Sequence, residues 1–206
     1  MNGRASRPTA GVLVGLLLLA GGTACTGRSE DGSASRSTDA SPSAKPRPSV
    51  PLRVSVTHVA GRLSPHERTA VAAGVRRALA SYTRGAFLAG DYPRTDFRDA
   101  FGSFTATTAD AARHDQALLT NRPLGSSTSS VRAVRRTAYV SVLAPKQKVS
   151  GATAAVNLVF VVDRGDATAR RVHLKGRMLL TRDKHGRWAV FGYDLNRSQT
   201  ATGSGS

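Results

Sequence analysis

Hydrophobic positions divide the chain into an apolar leader, a polar stretch and a patterned domain. Residues 11–20 form one apolar run, whereas residues 26–51 hold almost no large apolar side chain. From residue 52 to residue 197, apolar positions recur at regular spacings without a fixed internal repeat. Because this stretch of about 146 residues is close to the commonest domain size, we predict one domain with its own core.

The domain opens with one strand pattern and one helix pattern. Residues 52–56 alternate apolar and polar side chains, as along one face of a β-strand. Ser64, Pro65 and Glu67 combine a hydroxyl cap, a proline at the first helical position and a carboxylate three residues after the cap, which predicts a helix start. Apolar residues follow at helical spacing: Val71, Val75, Ala78, Leu79, Tyr82 and Ala86. Gly90 is a natural end for this helix.

Two further helices are predicted before the strand-rich part of the domain. Phe97, Phe101 and Phe104 recur with a spacing of four and then three residues, which indicates a short helix buried against the same core. Another helix is predicted from Thr107 to about Thr120, where a proline-containing turn ends it.

Four β-rich stretches follow Gly125, separated by turn-like segments. They cover residues 138–143, 154–162, 172–181 and 188–195. Residues 183–186 have the composition of a β-hairpin turn. Helices followed by antiparallel strands are typical of the α+β class, so we predict helices packed on one face of a sheet.

The leader has the order of a secretory signal peptide. Arg4 and Arg7 precede the apolar run, and small residues follow it up to Cys25. Even extended to residue 24, the run falls short of the roughly 20 residues that cross a bilayer. We therefore predict that residues 1–24 are a cleaved signal and that the protein is exported.

Gly22, Thr23, Ala24 and Cys25 resemble the lipobox of bacterial lipoproteins. The resemblance implies that diacylglycerol is attached to the Cys25 thiol and that the leader is cut just before it, which would anchor the protein at the extracytoplasmic face of the cell membrane. Gly22 departs from the usual pattern, which has leucine there. Cys25 is the only cysteine of the chain, so no internal disulfide can form, and an intermolecular disulfide is the alternative use of the thiol.

Flexible segments are predicted on both sides of the domain. Residues 25–51 are rich in Ser, Ala, Pro and Thr and cannot bury enough apolar surface to fold. Such a disordered stretch serves as a spacer between the lipid anchor and the domain. The tail, residues 198–206, ends in alternating Gly and Ser and is predicted to be disordered as well.

The order of elements and the ending Gly-Arg-Trp-Ala-Val-Phe-Gly-Tyr at residues 186–193 resemble the nuclear transport factor 2 and SnoaL-like superfamily. The chain is also similar to extracytoplasmic actinobacterial proteins of the Mce-associated kind. The resemblance covers residues 52–197 and implies a cystatin-like cone, with helices on the concave side of a curved antiparallel sheet. It further implies a pocket that serves small ligands, partner proteins or acid-base chemistry, and fold alone does not choose among these.

A SnoaL-like enzyme would need convergent acid-base groups, for which Asp110 and His114 are the candidate catalytic pair. Four residues apart on a predicted helix, they share one face, where a carboxylate can orient an imidazole for base catalysis. The alternative, which we favour, is a carboxylate near a helix start beside a solvated imidazole.

Positive charge is the remaining feature of the sequence. The formal net charge is +17, and removal of the leader leaves about +15. Three arginine pairs are candidates for a surface that binds phosphate groups: Arg76 and Arg77, Arg135 and Arg136, and Arg170 and Arg171. The corresponding partners are anionic lipid headgroups or phosphate-bearing wall polymers at the membrane face. The alternative is a genome-wide preference for arginine codons, which would leave these charges merely solvated.

Several kinds of site lack their sequence signatures. His, Cys, Asp and Glu show no metal-ligand spacing, so no metal or other cofactor is expected. Nucleophile-elbow, phosphate-loop and dinucleotide motifs are missing, and export places the chain away from DNA and RNA. We predict a non-catalytic, membrane-anchored lipoprotein that binds an envelope protein partner or an anionic or small ligand, with a SnoaL-like pocket enzyme as the alternative.

Overall fold

Five strands form one mixed sheet in the order β1-β2-β3-β4-β5 in the computed structural model, which describes residues 48–166 and 168–202. The bounds of the strands are Arg53–Gly61, Thr128–Ala144, Gly151–Arg164, Ala169–Arg182 and Trp188–Thr202. β1 runs parallel to β2, and each later strand runs antiparallel to the one before it. The predicted α+β class is confirmed, and the parallel edge strand makes the sheet mixed rather than purely antiparallel.

Helix α1 spans Pro65–Thr83 and continues into a π-helical turn at Arg84–Leu88. Its predicted start is confirmed, because the Ser64 hydroxyl accepts a hydrogen bond from the Glu67 amide and the Glu67 carboxylate accepts one of 2.7 Å from the Ser64 amide. These bonds satisfy amides that have no partner within the first turn of a helix. The hydrogen bonds that this carboxylate accepts from the Ser64 amide and hydroxyl hold the pKa of Glu67 below its ordinary value. Gly90, with φ of +87°, follows the π-helical turn and allows the chain to change direction.

Side chains of the strands alternate between two faces of the sheet. The face that we call the inner face packs against the helices and contributes buried residues from every strand: Val54, Val140, Val156, Leu174 and Val190. The helices and their connections complete this core with Val71, Val75, Tyr82, Phe87 and Leu119. The opposite face, which we call the outer face, carries the exposed aromatic and basic side chains of the sheet.

The chain between α1 and β2 is less helical than its sequence predicts. α2 spans Ala106–His114, and two single-turn helices follow, α3 at Gln116–Leu119 and α4 at Arg122–Gly125. Asp115 leaves the helical conformation, and its carboxylate accepts a hydrogen bond of 2.7 Å from the Tyr193 hydroxyl of β5. A contact with the sheet therefore lies where the predicted single helix is interrupted.

The three phenylalanines predicted on one helical face are all buried, at Phe97, Phe101 and Phe104. Only Arg98–Phe101 is helical, as a 3₁₀ turn. Phe104 lies beyond that turn, in a short parallel bridge to Val190 of β5. The predicted burial is confirmed, whereas the predicted helix is wrong because backbone pairing with the sheet replaces its last turn.

The hairpin predicted between the last two strands is confirmed. The Asp183 amide donates a hydrogen bond of 2.7 Å to the Arg187 carbonyl and closes the turn. Gly186 adopts φ of +73°, a left-handed conformation that glycine reaches at little cost.

The ordered domain extends beyond its predicted bounds at both ends. β5 continues to Thr202, and Ser198 and Thr202 both pair with β4, so the disordered tail predicted from residue 198 is wrong for its first part. Residues 198–201 are exposed and mostly polar, and they pair through the backbone ladder, which the hydrophobic pattern does not report. At the other end, the Val50 amide donates a hydrogen bond of 3.1 Å to the Ala133 carbonyl.

The predicted signal peptide, the lipobox with Cys25 and most of the predicted linker lie outside the described residues. The last residues of the predicted tail, 203–206, lie outside them as well. Within the described ranges, no helix has the length and apolar composition needed to span a membrane.

Candidate functional site

Asp110 and His114 are both exposed on α2. The Asp110 carboxylate forms an ion pair with Arg113, one turn further along the same helix, rather than with the imidazole. Neither residue lines one of the larger depressions described below. Base catalysis would require a carboxylate that orients the imidazole toward a cavity. His114 does not have these surroundings.

The space between the inner face and the helices is filled by large side chains. Tyr82, Phe87 and Phe160 are fully buried there, and the rings of Phe87 and Phe160 stack with centroids 4.2 Å apart. The Tyr82 hydroxyl donates a hydrogen bond of 2.6 Å to the Leu119 carbonyl, and burial raises the pKa of Tyr82 far above its ordinary value. This interior is a packed core with a satisfied tyrosine.

Arg197 of β5 also reaches into this interior. Its guanidinium donates a hydrogen bond to the Thr120 carbonyl and lies 6.0 Å from the centroid of the Phe87 ring. Burial lowers the pKa of Arg197 to about 10, which leaves the side chain charged at neutral pH. Arg197 therefore ties the last strand to the helical layer.

The first predicted arginine pair, Arg76 and Arg77, is exposed on α1, on the inner side of the sheet. Arg77 borders an open groove of about 900 Å³ between α1 and the β4–β5 hairpin. Charges of both signs line this groove, because Asp183 and Arg187 of the hairpin form an ion pair there. Arg77, Lys184 and Arg187 outnumber this carboxylate, so the groove is positive overall, but Asp183 interrupts its charge.

The two predicted pairs on strands are each split between the faces of the sheet. Neighbours on a strand point to opposite sides. Arg135 and Arg171 occupy outer-face positions, in register with Val159 and Val161, whereas Arg136 and Arg170 occupy inner-face positions. The structure thus brings Arg135 and Arg171 onto one surface and separates each from its sequence neighbour.

The side chain of Arg136 forms hydrogen bonds within the protein. Its Nε and Nη2 atoms donate hydrogen bonds of 2.9 and 2.7 Å to the Val50 carbonyl, and Nη1 lies 3.4 Å from Thr83 Oγ1. Partial burial lowers the pKa of Arg136. This side chain fixes the chain's entry into the domain against the end of α1.

β2 and β4 place five basic side chains on the outer face, which together we call the basic band: Arg132, Arg135, Arg171, Lys175 and Arg177. Arg132 and Arg171 lie on either side of Val161 in one row of the sheet, and Arg135 lies in the next row. Because neighbouring strands are about 4.8 Å apart, side chains on β2 and β4 are separated by roughly 10 Å.

The basic band covers apolar side chains of the central strand. Val159 and Val161 of β3 are buried although they point to the outer face. Their neighbours in register are Arg135, Arg132 and Arg171, whose long aliphatic stems can pack over valine while the guanidinium groups stay in water. The band is therefore a packed layer and not a set of isolated chains.

His173 lies at the centre of the basic band, opposite Val159 in the same row as Arg135. Its Nε2 atom is 2.9 Å from Asn157 Oδ1. Partial burial, and then the positive charges of Lys175 and Arg135, lower the pKa of His173. The histidine is therefore neutral at pH 7 within a cluster of cations.

No member of the basic band forms an ion pair among the described residues. Two carboxylates lie at its ends: Asp194 is in register with Arg177, and Asp163 accepts a hydrogen bond of 2.8 Å from Ser130. The centre of the band thus carries one sign of charge without a protein counterion.

Three large apolar side chains are exposed further along the same face. Tyr139 is 56%, Leu143 53% and Phe191 48% exposed, and we call these three residues the apolar end of the outer face. Leu143 and Phe191 border a shallow depression of about 490 Å³ together with Thr153. Clustered exposure of this kind is typical of a contact surface.

Comparison with known protein families, curated proteins and solved structures finds no match to this chain. Function is therefore inferred from the geometry of the chain itself. In residues 48–166 and 168–202, no three His, Cys, Asp or Glu side chains are grouped closely enough to hold a metal ion.

Three members of the basic band, Arg132, Lys175 and Arg177, are absent from the arginine pairs picked out in the sequence. The signal for two of them is present, because basic side chains occupy every second position from Arg171 to Arg177 in a predicted strand. Arg132 carries no such signal, since it precedes the predicted start of its strand.

Proposed function

We propose that this protein is a non-catalytic lipoprotein of the cell envelope whose outer sheet face binds phosphate-bearing anions. The observation that supports this most is the basic band, in which five cations of one sheet face form no ion pair with a carboxylate of the described residues. Guanidinium groups suit this role, because they remain charged and donate paired hydrogen bonds to phosphate oxygens.

A non-catalytic role is supported by the inner side of the sheet. A pocket enzyme needs at least two ionisable groups directed into one enclosed space. Here the interior contains the stacked rings of Phe87 and Phe160 and the hydrogen-bonded hydroxyl of Tyr82, and the Asp110 carboxylate pairs with Arg113 on the surface. We propose that the fold is a cone of the nuclear transport factor 2 type, which the long helix packed against the sheet supports.

The proposed membrane anchor is diacylglycerol on Cys25, which the order of arginines, apolar run and small residues supports. Replacing Cys25 by serine is expected to move the protein from the membrane fraction to the soluble fraction when membranes are washed at high salt, which releases a chain held by exposed charges. Retention of the Cys25→Ser chain in membranes after this wash would argue against a lipid anchor.

Anion binding is tested with the mature chain carrying Cys25→Ser and with inorganic polyphosphate as the probe. The affinity, measured by titration calorimetry, is expected to fall with added salt, because counterions screen exposed charges. The double variant Arg135→Gln/Arg171→Gln is expected to bind at least tenfold more weakly, since each arginine supplies charge-assisted hydrogen bonds of roughly 1.5–3 kcal/mol.

The matched control is Arg76→Gln/Arg77→Gln, which removes the same charge from the exposed surface of α1. Its polyphosphate affinity is expected to stay close to that of the parent chain. Equal losses in both double variants would show that net charge alone is responsible and would overturn a site on the outer face.

A further inference from the structure

The basic band and the apolar end meet on one surface. Tyr139 of the apolar end pairs with Ala155, which in turn pairs with Arg177 of the basic band. The two groups therefore share a row of the outer face and continue from it in opposite directions along the strands. A flat partner can therefore contact both groups at once.

The spacing of the cations favours many anions over one. Arg171 and Arg177 are six residues apart on β4, which corresponds to roughly 20 Å at about 3.3 Å per residue. Across the sheet, Arg132 and Arg171 are separated by roughly 10 Å. Side chains this far apart contact separate phosphate groups, so the band fits a surface on which phosphates repeat in a plane.

We infer that the outer face docks on the surface of an anionic lipid bilayer, with the basic band on headgroup phosphates and the apolar end inserted at the interface. This inference rests on the proposed function and names the occupant of the same surface. Basic clusters are attracted to anionic headgroups, and tyrosine, phenylalanine and leucine gain by leaving water at the boundary of the hydrocarbon. A soluble phosphate polymer would satisfy only the first group.

The position of the predicted tether supports a bilayer as the occupant. Twenty-two residues, 26–47, separate Cys25 from the first described residue. A lipid on Cys25 would therefore keep the domain within 22 residues of the membrane, at a high local concentration beside it. The chain then joins β2 where the Val50 amide bonds the Ala133 carbonyl, between Arg132 and Arg135 of the basic band.

Charge complementarity disfavours a second copy of this chain as the occupant. Two outer faces brought together would place basic bands near each other at the interface, and each would lose hydration without gaining a counterion. An anionic bilayer instead supplies the counterions and accepts the apolar end.

Docking is tested with lipid vesicles and the mature chain carrying Cys25→Ser, so that no acyl chain contributes. Phe191→Trp provides a reporter at the apolar end, because the natural Trp188 is only 8% exposed and packs against Gly74 of α1. Vesicles containing phosphatidylglycerol are expected to shift the emission of Phe191→Trp to shorter wavelength. Vesicles of phosphatidylcholine alone are expected to leave it unchanged.

Two double variants separate the contributions of the two groups. Leu143→Ser/Phe191→Ser is expected to lower the affinity for anionic vesicles at least tenfold in co-sedimentation while polyphosphate affinity stays unchanged. Arg135→Gln/Arg171→Gln is expected to lower both affinities, by about fivefold per charge for vesicles, and Arg76→Gln/Arg77→Gln is expected to lower neither appreciably. Circular dichroism and the melting temperature check the fold of each variant. Both are expected to stay close to those of the parent chain, because the substituted side chains lie at the surface.

The outcomes distinguish this inference from the function on which it rests. Binding of polyphosphate without binding of anionic vesicles would overturn the bilayer inference and leave the anion site standing. Binding of neither probe would overturn both. A dimer that sediments as such, and that dissociates in Leu143→Ser/Phe191→Ser without vesicle binding by the parent chain, would show a second copy as the occupant instead.

Discussion

At the scale of single residues, one step along β2 separates two different uses of arginine. Arg135 points to the outer face and extends over Val159, whereas Arg136 points inward and donates to the Val50 carbonyl. The two side chains have the same chemistry, and the pleat of the strand alone assigns them to different surroundings. Substitutions at the two positions are therefore expected to affect binding and stability separately.

His173 makes anion binding sensitive to pH. Its imidazole faces Asn157 of β3, Arg135 of β2 and Lys175 of β4, and partial burial together with these cations lowers its pKa. Above that lowered pKa the imidazole is neutral, and below it the basic band gains one positive charge. Because a bound anion favours the charged form, the affinity for anionic vesicles is expected to rise as the pH falls from about 7 to about 5.

The control for this effect is His173→Gln, which keeps a neutral polar side chain beside Asn157. Vesicle co-sedimentation of this variant is expected to show a smaller dependence on pH than that of the parent chain. If both proteins gain affinity equally on acidification, His173 is not the group responsible.

Much of this residue-level pattern is visible in the sequence. The alternation of His173, Lys175 and Arg177 predicts a solvent-facing side of a strand, and the structure confirms it. The adjacency of Arg135 and Arg136 suggests a pair, but adjacency within a strand separates side chains. The separation of Arg135 from Arg136 can be predicted only if both residues are assigned to a strand. The apolar pattern predicts that strand only from residue 138, so the sequence does not reveal it.

At the scale of elements, α1 and β5 pack closely against each other at a glycine of α1. Gly74 of α1 leaves room for the Trp188 indole, and a Cβ atom at position 74 would lie 2.2 Å from Trp188 Cδ1. The indole is buried and carries the Arg182 guanidinium at 5.5 Å from its centroid, so it cannot swing away freely. This contact sets how closely the helix approaches the last strand.

Gly74→Ala is therefore expected to lower the free energy of unfolding by about 1–3 kcal/mol, because overpacking outweighs the better helix propensity of alanine. Urea denaturation of the Cys25→Ser chain measures it. Gly102→Ala is the matched control, since the only atom near its Cβ position is the Asp99 carbonyl oxygen at 3.8 Å and its φ of −62° suits alanine. Similar losses in both variants would show that the indole is not the obstacle.

Local sequence signals predict an element well only where no contact with a distant part of the chain interrupts it. The capping residues Ser64 and Glu67 identify the start of α1 because both hydrogen bonds form within four residues. The predicted helix at Phe104 and the single helix through Asp115 fail because contacts with β5 intervene, and those contacts join residues about 80 positions apart. The sequence near Phe104 and Asp115 does not predict these contacts.

At the scale of the whole molecule, the two faces of the sheet have opposite characters. The inner face and the helices enclose a filled core, and the outer face combines buried valines, exposed aromatic residues and cations that form no ion pair within the described part of the chain. The assembly of this surface depends on the register of β2 and β4 through β3, which the apolar pattern does not fix. The sequence therefore indicates the sign of the charge, and the structure adds the surface on which the charges lie.

Membrane docking through the outer face is tested most directly by labelling single positions. Cys25 is the only cysteine, so the Cys25→Ser chain accepts one new thiol at Ser141, exposed on the outer face, or at Ser81, exposed on α1. With a fluorophore on that thiol, phosphatidylglycerol vesicles are expected to shield position 141 from a water-soluble quencher and to leave position 81 accessible. Shielding of position 81 alone, or equal quenching of both positions in the presence of bound vesicles, would contradict docking through this face.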